Sequence, residues 1–204
     1  MAPAAQPIRV HPGRDATLLT RLTETLADAF AEDPHINWIV RQDARRDASR
    51  RDLFRLLLTD LLGAAGEVHA TQDGQACAIW FPPGGWRLGL FRQVSIARRF
   101  IAVSGWPAAV VKAYGLNRAE KARPPGSHAF LQTIGVRSDM RGRGCGDALM
   151  RQFRQYCEHL QASGYLETAN PANIAFYERH GFRIVGETGL PCGPTLFQMM
   201  QSRP

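Results

Sequence analysis

Between Arg141 and Gly146 the chain reads RGRGCG, with glycines at positions 142, 144 and 146 alternating with Arg141, Arg143 and Cys145. A strand-like run, HAFLQTIGV, precedes it, and a segment with Leu149, Phe153, Tyr156, Cys157 and Leu160 at helical spacing follows. Free backbone N–H groups and the positive end of a helix dipole meet at such a junction, which suits phosphate or another anion. Two common nucleotide loops do not fit: the third glycine of GxGxxG would fall on Asp147, and no GK[ST] follows. A glycine-rich turn that only starts a helix would read the same way.

Other residues carry chemistry by type. Glu167, in YLET, offers a carboxylate for proton transfer, or lies at a strand end in solvent. Gly135, inside a strand pattern, marks a bulge, a close backbone approach or plain packing. Cys145 heads a helix, where thiolates are activated, so a nucleophilic thiol has to be weighed. The cysteines Cys77, Cys145, Cys157 and Cys192 form no CxxC pair, and the six histidines show no HExxH spacing. Free thiols and no metal are therefore expected.

The 204-residue chain, 45% hydrophobic and 21% charged, has the composition of one soluble globular domain. Its net charge of +7 is almost all arginine, with Lys112 and Lys121 the only lysines. That favours acidic ligands, since arginine presents a planar fork to phosphate and carboxylate. No basic segment followed by an apolar core opens the sequence, and the longest apolar stretch, FIAVSGWPAAVV, is too short to span a bilayer. A cytoplasmic protein with no membrane partner is expected.

The elements that must position these residues follow from periodicity. PIRVHP reads as a strand, and Leu18, Leu19, Leu22, Leu26, Ala29 and Phe30 as a helix stopped by EDP at Pro34. Phe54, Leu57, Leu58, Leu61 and Leu62 stripe a second helix, with Asp47 and Arg51 paired on its wet side. EVHATQ and QACAIWF flank Asp73-Gly74, a hairpin signal in which both turn residues take positive φ. Residues 86–122 read as one or two helices broken near Gly105 and Pro107. In 86–123, Arg87, Arg92, Arg98, Arg99, Lys112, Arg118, Lys121 and Arg123 face only Glu120 in opposition. After RPPGS come the strand HAFLQTIGV, the glycine loop, a helix ending at Gly164, the strand YLETA, a helix begun by Pro171, and two closing strands, FRIVGE and TLFQMM.

In RGRGCG, with VRSDM in its approach, and on through YLET and NIAFYERHGF, the chain resembles the GCN5-related N-acetyltransferases (GNAT), and within them the puromycin acetyltransferase-like branch. The match is strong over roughly residues 127–200; the first half matches in element order and in AFAEDP. The resemblance implies a mixed α/β (α+β) GNAT fold: a twisted, mostly antiparallel sheet, strands four and five splayed apart, helices on both faces. It implies one domain over 1–204, with an N-terminal half at 7–85, a helical insertion at 86–123 and a donor-binding half at 124–204.

Acetyl-CoA would be the donor. By the same resemblance, the strand around Ile134, Gly135 and Val136 would hold the pantetheine arm. Arg141, Gly142, Arg143, Gly144, Cys145, Gly146 and the adjoining Asp147 would wrap the pyrophosphate, with Asn173 and Phe176 contributing from the following helix. Tyr177 would be the general acid beside the cofactor sulfur, and otherwise part of a helix's core face. Glu167 is the candidate base, and the Val136 N–H the oxyanion donor. The pyrophosphate loop is remote from the acetyl end, so direct attack in a ternary complex is expected in place of a Cys145 acyl-enzyme.

The acceptor is less constrained. A primary amine on a small molecule is the first reading. Trp80, Phe81, Trp86, Phe91, Phe100 and Trp106 could wall a pocket for an amphipathic amine such as an aminoacyl-nucleoside antibiotic, or could be core. The alternatives are a protein or peptide N-acetyltransferase, and a non-catalytic acyl-CoA- or nucleic-acid-binding module using the basic segment. That segment lacks a helix-turn-helix or stacking motif, so nucleic acid is not the expected partner. A monomer or homodimer is expected.

Overall fold

The computed structural model describes residues 6–61, 66–85 and 90–202, and for residues 60, 61 and 90–95 the backbone alone. Strand β1 (Ile8–Val10) leads to helices α1 (Ala16–Ala29), α2 (Pro34–Ile39) and α3 (Arg46–Leu56), then to a hairpin of β2 (Glu67–Ala70) and β3 (Ala76–Phe81). Helices α4 (Leu90–Ser104) and α5 (Ala108–Lys121) intervene before β4 (His128–Val136), α6 (Cys145–His159), β5 (Ser163–Thr168), α7 (Ile174–Arg179), β6 (Arg183–Gly189) and β7 (Thr195–Gln201). One seven-stranded sheet has the order β1-β2-β3-β4-β5-β7-β6. Its neighbours are antiparallel except β4 and β5. The mixed α/β fold inferred from the resemblance is the fold observed.

Period-2 alternation in β3 divides the core. Cys77, Ile79 and Phe81 pack with Leu22 and Leu26 of α1 and Leu53 and Phe54 of α3. Ala76, Ala78 and Trp80 meet Leu149 and Phe153 of α6 on the other face. Every residue of β3 is buried, as expected of a central strand covered on both sides. Trp80 and Phe81 therefore belong to the core, contrary to a place in an acceptor wall.

Several local expectations change. Pro34 starts a helix as well as stopping one: the Asp33 carboxylate accepts the Ile36 N–H at 2.9 Å, and Pro34 occupies the first turn, where no N–H is needed. The second helical stripe loosens into a π-helical turn at Leu57–Leu61, and Leu62 lies outside the described residues. In the hairpin only Gly74 has positive φ (68°). The Asp73 carboxylate instead accepts from the Thr71 hydroxyl and the Gln75 N–H, so the loop is wider than a two-residue turn. Helix α6 ends at His159, and Gln161 (φ 49°) makes the left-handed step; Gly164 belongs to β5, where a β-carbon would stand 3.2 Å from Phe182.

The basic segment breaks up on inspection. Arg98 and Arg99 lie exposed on α4, whereas Lys112 is buried and donates to the carbonyls of Val40 and Ser104, both at 3.0 Å. Arg123 turns inward to Glu167. Arg87 lies outside the described residues, as does the Arg92 side chain. Among the described residues, no helix is long and apolar enough to cross a membrane.

Candidate active site

Strands β4 and β5 pair from His128↔Ser163 to Leu131↔Leu166 and no further. Beyond that point β4 stays bonded to β3 through Val136 while its other edge parts from β5, which opens the sheet. The parting begins at a bulge. Ile79 pairs with Thr133 and Trp80 with Leu131, leaving Gln132 as the extra residue. The bulge therefore sits at Gln132, four residues before Val136. Gly135 has a different role: a β-carbon there would come within 2.8 Å of Leu26 and 3.0 Å of Ala29, so it admits α1 against β4.

A cleft of about 430 Å³ occupies one side of the opening. Ile134, Gly135, Val136, Arg141, Gly142, Gly144, Cys145, Gly146, Asp147, Asn173, Phe176 and Tyr177 all line it. Of the donor residues expected from the sequence, Arg143 alone is exposed beside it without lining it. Gly142 (φ 74°) and Gly144 (φ 81°) take left-handed conformations, and Gly144 caps α6 without a side-chain hydrogen bond. Among the described residues, the amides of 142–147 find no backbone acceptor, so they remain available to an anion. Gly146 is close-fitted as well: a β-carbon would stand 3.3 Å from the Phe176 ring. These features fit a pyrophosphate, although Asp147 is committed to His180 at 2.9 Å. The Cys145 thiol is buried and its pKa is pushed up by that burial, the reverse of an activated nucleophile.

The loop's function can be isolated by substitution. Gly144→Val forces a branched residue into left-handed backbone, and Arg141→Glu places a carboxylate where the guanidinium now reaches the Ala29 carbonyl at 3.0 Å. Each is expected to raise KM for acetyl-CoA by about tenfold or more, about 1.4 kcal/mol of lost binding, with KM for the amine nearly unchanged. Initial-rate kinetics with each substrate varied checks this; a change confined to the amine would overturn the assignment.

On the other side of the opening lie two connected compartments. The inner, about 260 Å³, is lined by Phe30, Asp33, His35, Gln132, Glu167 and Tyr177 among others. The outer, about 600 Å³, runs beneath α4 and α5, with Phe100, Ile101, Trp106, Val110, Leu116 and Phe130 on its walls. His35, Gln132 and Glu167 border both. Phe100 and Trp106 line the outer compartment, while Trp86 and the Phe91 side chain lie outside the described residues.

Tyr177 alone of the two expected catalytic residues lines both the glycine-loop cleft and the inner compartment. It is buried on α7 against Phe176 and Phe182, and burial pushes its pKa well above the ordinary tyrosine value, with Asp33 adding to the shift. No described residue hydrogen-bonds its hydroxyl. Glu167 faces the inner and outer compartments. Its Oε1 accepts from Arg123 Nε at 2.9 Å and from the Tyr165 hydroxyl at 2.7 Å, and Arg123 stacks over Phe130 at 4.3 Å. Sequence reading passed over Asp33, His35, Gln132 and Arg123; only the helix-starting Asp-Pro pair was a usable signal.

An open sheet with an anion loop on one side of the splay and a carboxylate-bearing cavity on the other is the arrangement of an acyl-CoA-dependent transferase. Residues 96–182 match the model of the Acetyltransferase (GNAT) family, whose members use acetyl-CoA as donor, and the match and the shared fold indicate an acyltransferase of the N-acetyltransferase kind. Three solved structures share its fold. A Corynebacterium glutamicum protein described as histone acetyltransferase HPA2 and related acetyltransferase has 21% identity and a TM-score of 0.74, over 98% of this chain and 97% of that one. Drosophila melanogaster polyamine N-acetyltransferase has 15% identity and a TM-score of 0.59, over 96% of this chain and 98% of that one. An acetyltransferase from Thermus thermophilus has 18% identity and a TM-score of 0.52, over 97% of each chain.

Proposed function

We propose that this enzyme acetylates the primary amine of a small amphipathic molecule by direct attack in a ternary complex, with Tyr177 as general acid and Glu167 serving the incoming ammonium. One observation carries the reading: Tyr177 borders the donor cleft and an acceptor cavity that is carboxylate-bearing near the sheet and apolar farther out. An amine whose cation sits at Glu167 and whose tail lies along Phe100, Ile101 and Trp106 matches both zones. Aminoacyl-nucleoside antibiotics of the puromycin kind have this character, in keeping with the branch resembled by RGRGCG and NIAFYERHGF.

The division of labour follows from the chemistry. Arg141 and the amides of the glycine loop hold the pyrophosphate, and Asn173 and Phe176 flank the cofactor. The Val136 N–H lies on the freed length of β4, where it can receive the developing oxyanion. Tyr177 keeps its proton until sulfur departs. Glu167 holds the ammonium and draws its proton away, directly or through a second group. A cytoplasmic location would supply the acetyl-CoA.

Free-thiol release from acetyl-CoA tests the reading against arylalkylamines, puromycin, polyamines, amino acids and short peptides. Amines with apolar tails are expected to give the highest kcat/KM, with intersecting double-reciprocal lines. Selective acetylation of peptides would turn the assignment to a peptide N-acetyltransferase, and no amine-dependent release would remove it.

A further inference from the structure

His35 is a largely enclosed titratable group with no part in the roles assigned so far. Asp33 and Pro34 start the short helix that carries it, and its ring stacks at 6.3 Å and 26° on Trp38. Together with Gln132 and Glu167 it borders both acceptor compartments. Among the described residues, the ring Nε2 has no hydrogen-bond partner and is closed off from solvent. An enclosed ring nitrogen without a partner has given up its water hydrogen bond for nothing, unless a ligand replaces it.

The charged and titratable groups facing it are Asp33 from its own turn, Glu167 from β5, Tyr177 from α7, and Glu120 and Arg123 across the outer compartment. Burial pushes the His35 pKa below the ordinary histidine value, against the opposing pull of Asp33 and Glu167. The ring is thus neutral at pH 7 and able to accept a proton. Glu167 has Oε1 engaged by Arg123 and Tyr165, which fixes the carboxylate as an anchor for a cation.

We propose that His35 is a catalytic residue: its imidazole takes the proton that the acceptor ammonium loses before attack, while Glu167 holds first the ammonium and then the imidazolium. The inference rests on the reading that the acceptor is an amine bound in these compartments. The balance is simple. One ammonium proton moves to the ring nitrogen of His35 that faces the cavity, and the amine lone pair forms the N–C bond to the acetyl carbon. As the C–S bond breaks, Tyr177 gives its phenolic proton to sulfur and regains one from the nitrogen that becomes the amide. The proton left on His35 returns to solvent.

The test uses the whole protein, the variant His35→Gln, and two acceptors: 2-phenylethylamine, protonated at pH 7, and an acyl hydrazide, whose nitrogen is already neutral. Loss of a general base is expected to lower kcat about 10²-fold on the amine and less than about tenfold on the hydrazide. The dissociation constant for acetyl-CoA should not change. Equal losses on both acceptors, or none on the amine, would overturn the proposal. If the glutamine variant does not fold, His35→Asn is read by the same comparison. A second readout needs no turnover: the His35 ring resonance, assigned by its loss in the variant, should shift when 2-phenylethylamine is added without donor. An unmoved resonance also overturns the proposal. If the wild type acetylates neither acceptor, the amine-acetylation reading falls and the resonance alone decides whether His35 contacts an amine.

Discussion

Tyr177→Phe is expected to lower kcat by about 10² to 10⁴-fold, the range typical of lost acid–base assistance, with KM for acetyl-CoA nearly unchanged. The substitution removes one oxygen and leaves the ring that packs against Phe176 and Phe182. No described residue hydrogen-bonds that oxygen, so little folding stability should be lost with it. Burial disfavours the phenolate and raises the pKa, which keeps Tyr177 in its acid form above the ordinary tyrosine value of about 10. The wild-type kcat profile should therefore show no alkaline fall from this group below about pH 10. Steady-state rates across pH check both statements, and near-wild-type turnover in the variant would return Tyr177 to a packing role.

Trp80→Ala is expected to destabilise the protein by about 3–5 kcal/mol. Trp80 is fully buried in β3, stacked on His69 at 4.1 Å and tilted against Phe153 at 5.5 Å and Tyr156 at 5.8 Å. In a domain of this size that loss corresponds to a fall in Tm of about 6–20 °C. The consequence reaches the site, because Trp80 pairs with Leu131 beside the Gln132 bulge where the sheet opens. Thermal unfolding measures the effect, with the exposed Cys192→Ser as a control expected to stay within about 0.5 kcal/mol of wild type. A Tm unchanged in Trp80→Ala would mean that this aromatic cluster does not hold β3 in place.

What could be read from the sequence was local. The glycine loop, its left-handed residues and the helix beyond it depend on backbone freedom within a few positions, and RGRGCG expresses that directly. The hairpin was likewise visible from its turn residues, and the middle region read as one or two helices from the breakers near Gly105 and Pro107. The splay of β4 from β5 entered only through family resemblance, since it depends on where a ladder between distant strands stops. The bulge was invisible for a related reason: Gln132 is an extra residue only when counted against Ile79 and Trp80. Trp80 and Phe81 were ambiguous because a strand buried on both faces shows no polar alternation. His35 lies in a six-residue helix too short to show a stripe, and only the lack of a partner at its Nε2 in three dimensions marks it. The close fit at Gly135 became a matter of helix packing once α1 was seen to lie across it.

The most direct test of the account is a crystal structure with a bisubstrate adduct in which 2-phenylethylamine is joined through an acetyl bridge to the sulfur of coenzyme A. The expected result has the pyrophosphate on the amides of 142–147 and the sulfur beside the Tyr177 hydroxyl. The amine nitrogen should lie between His35 and Glu167, and the phenyl ring beneath Phe100 and Trp106. A pyrophosphate bound away from the Arg141–Gly146 loop, or an amine arm leaving the splay without entering these compartments, would contradict it.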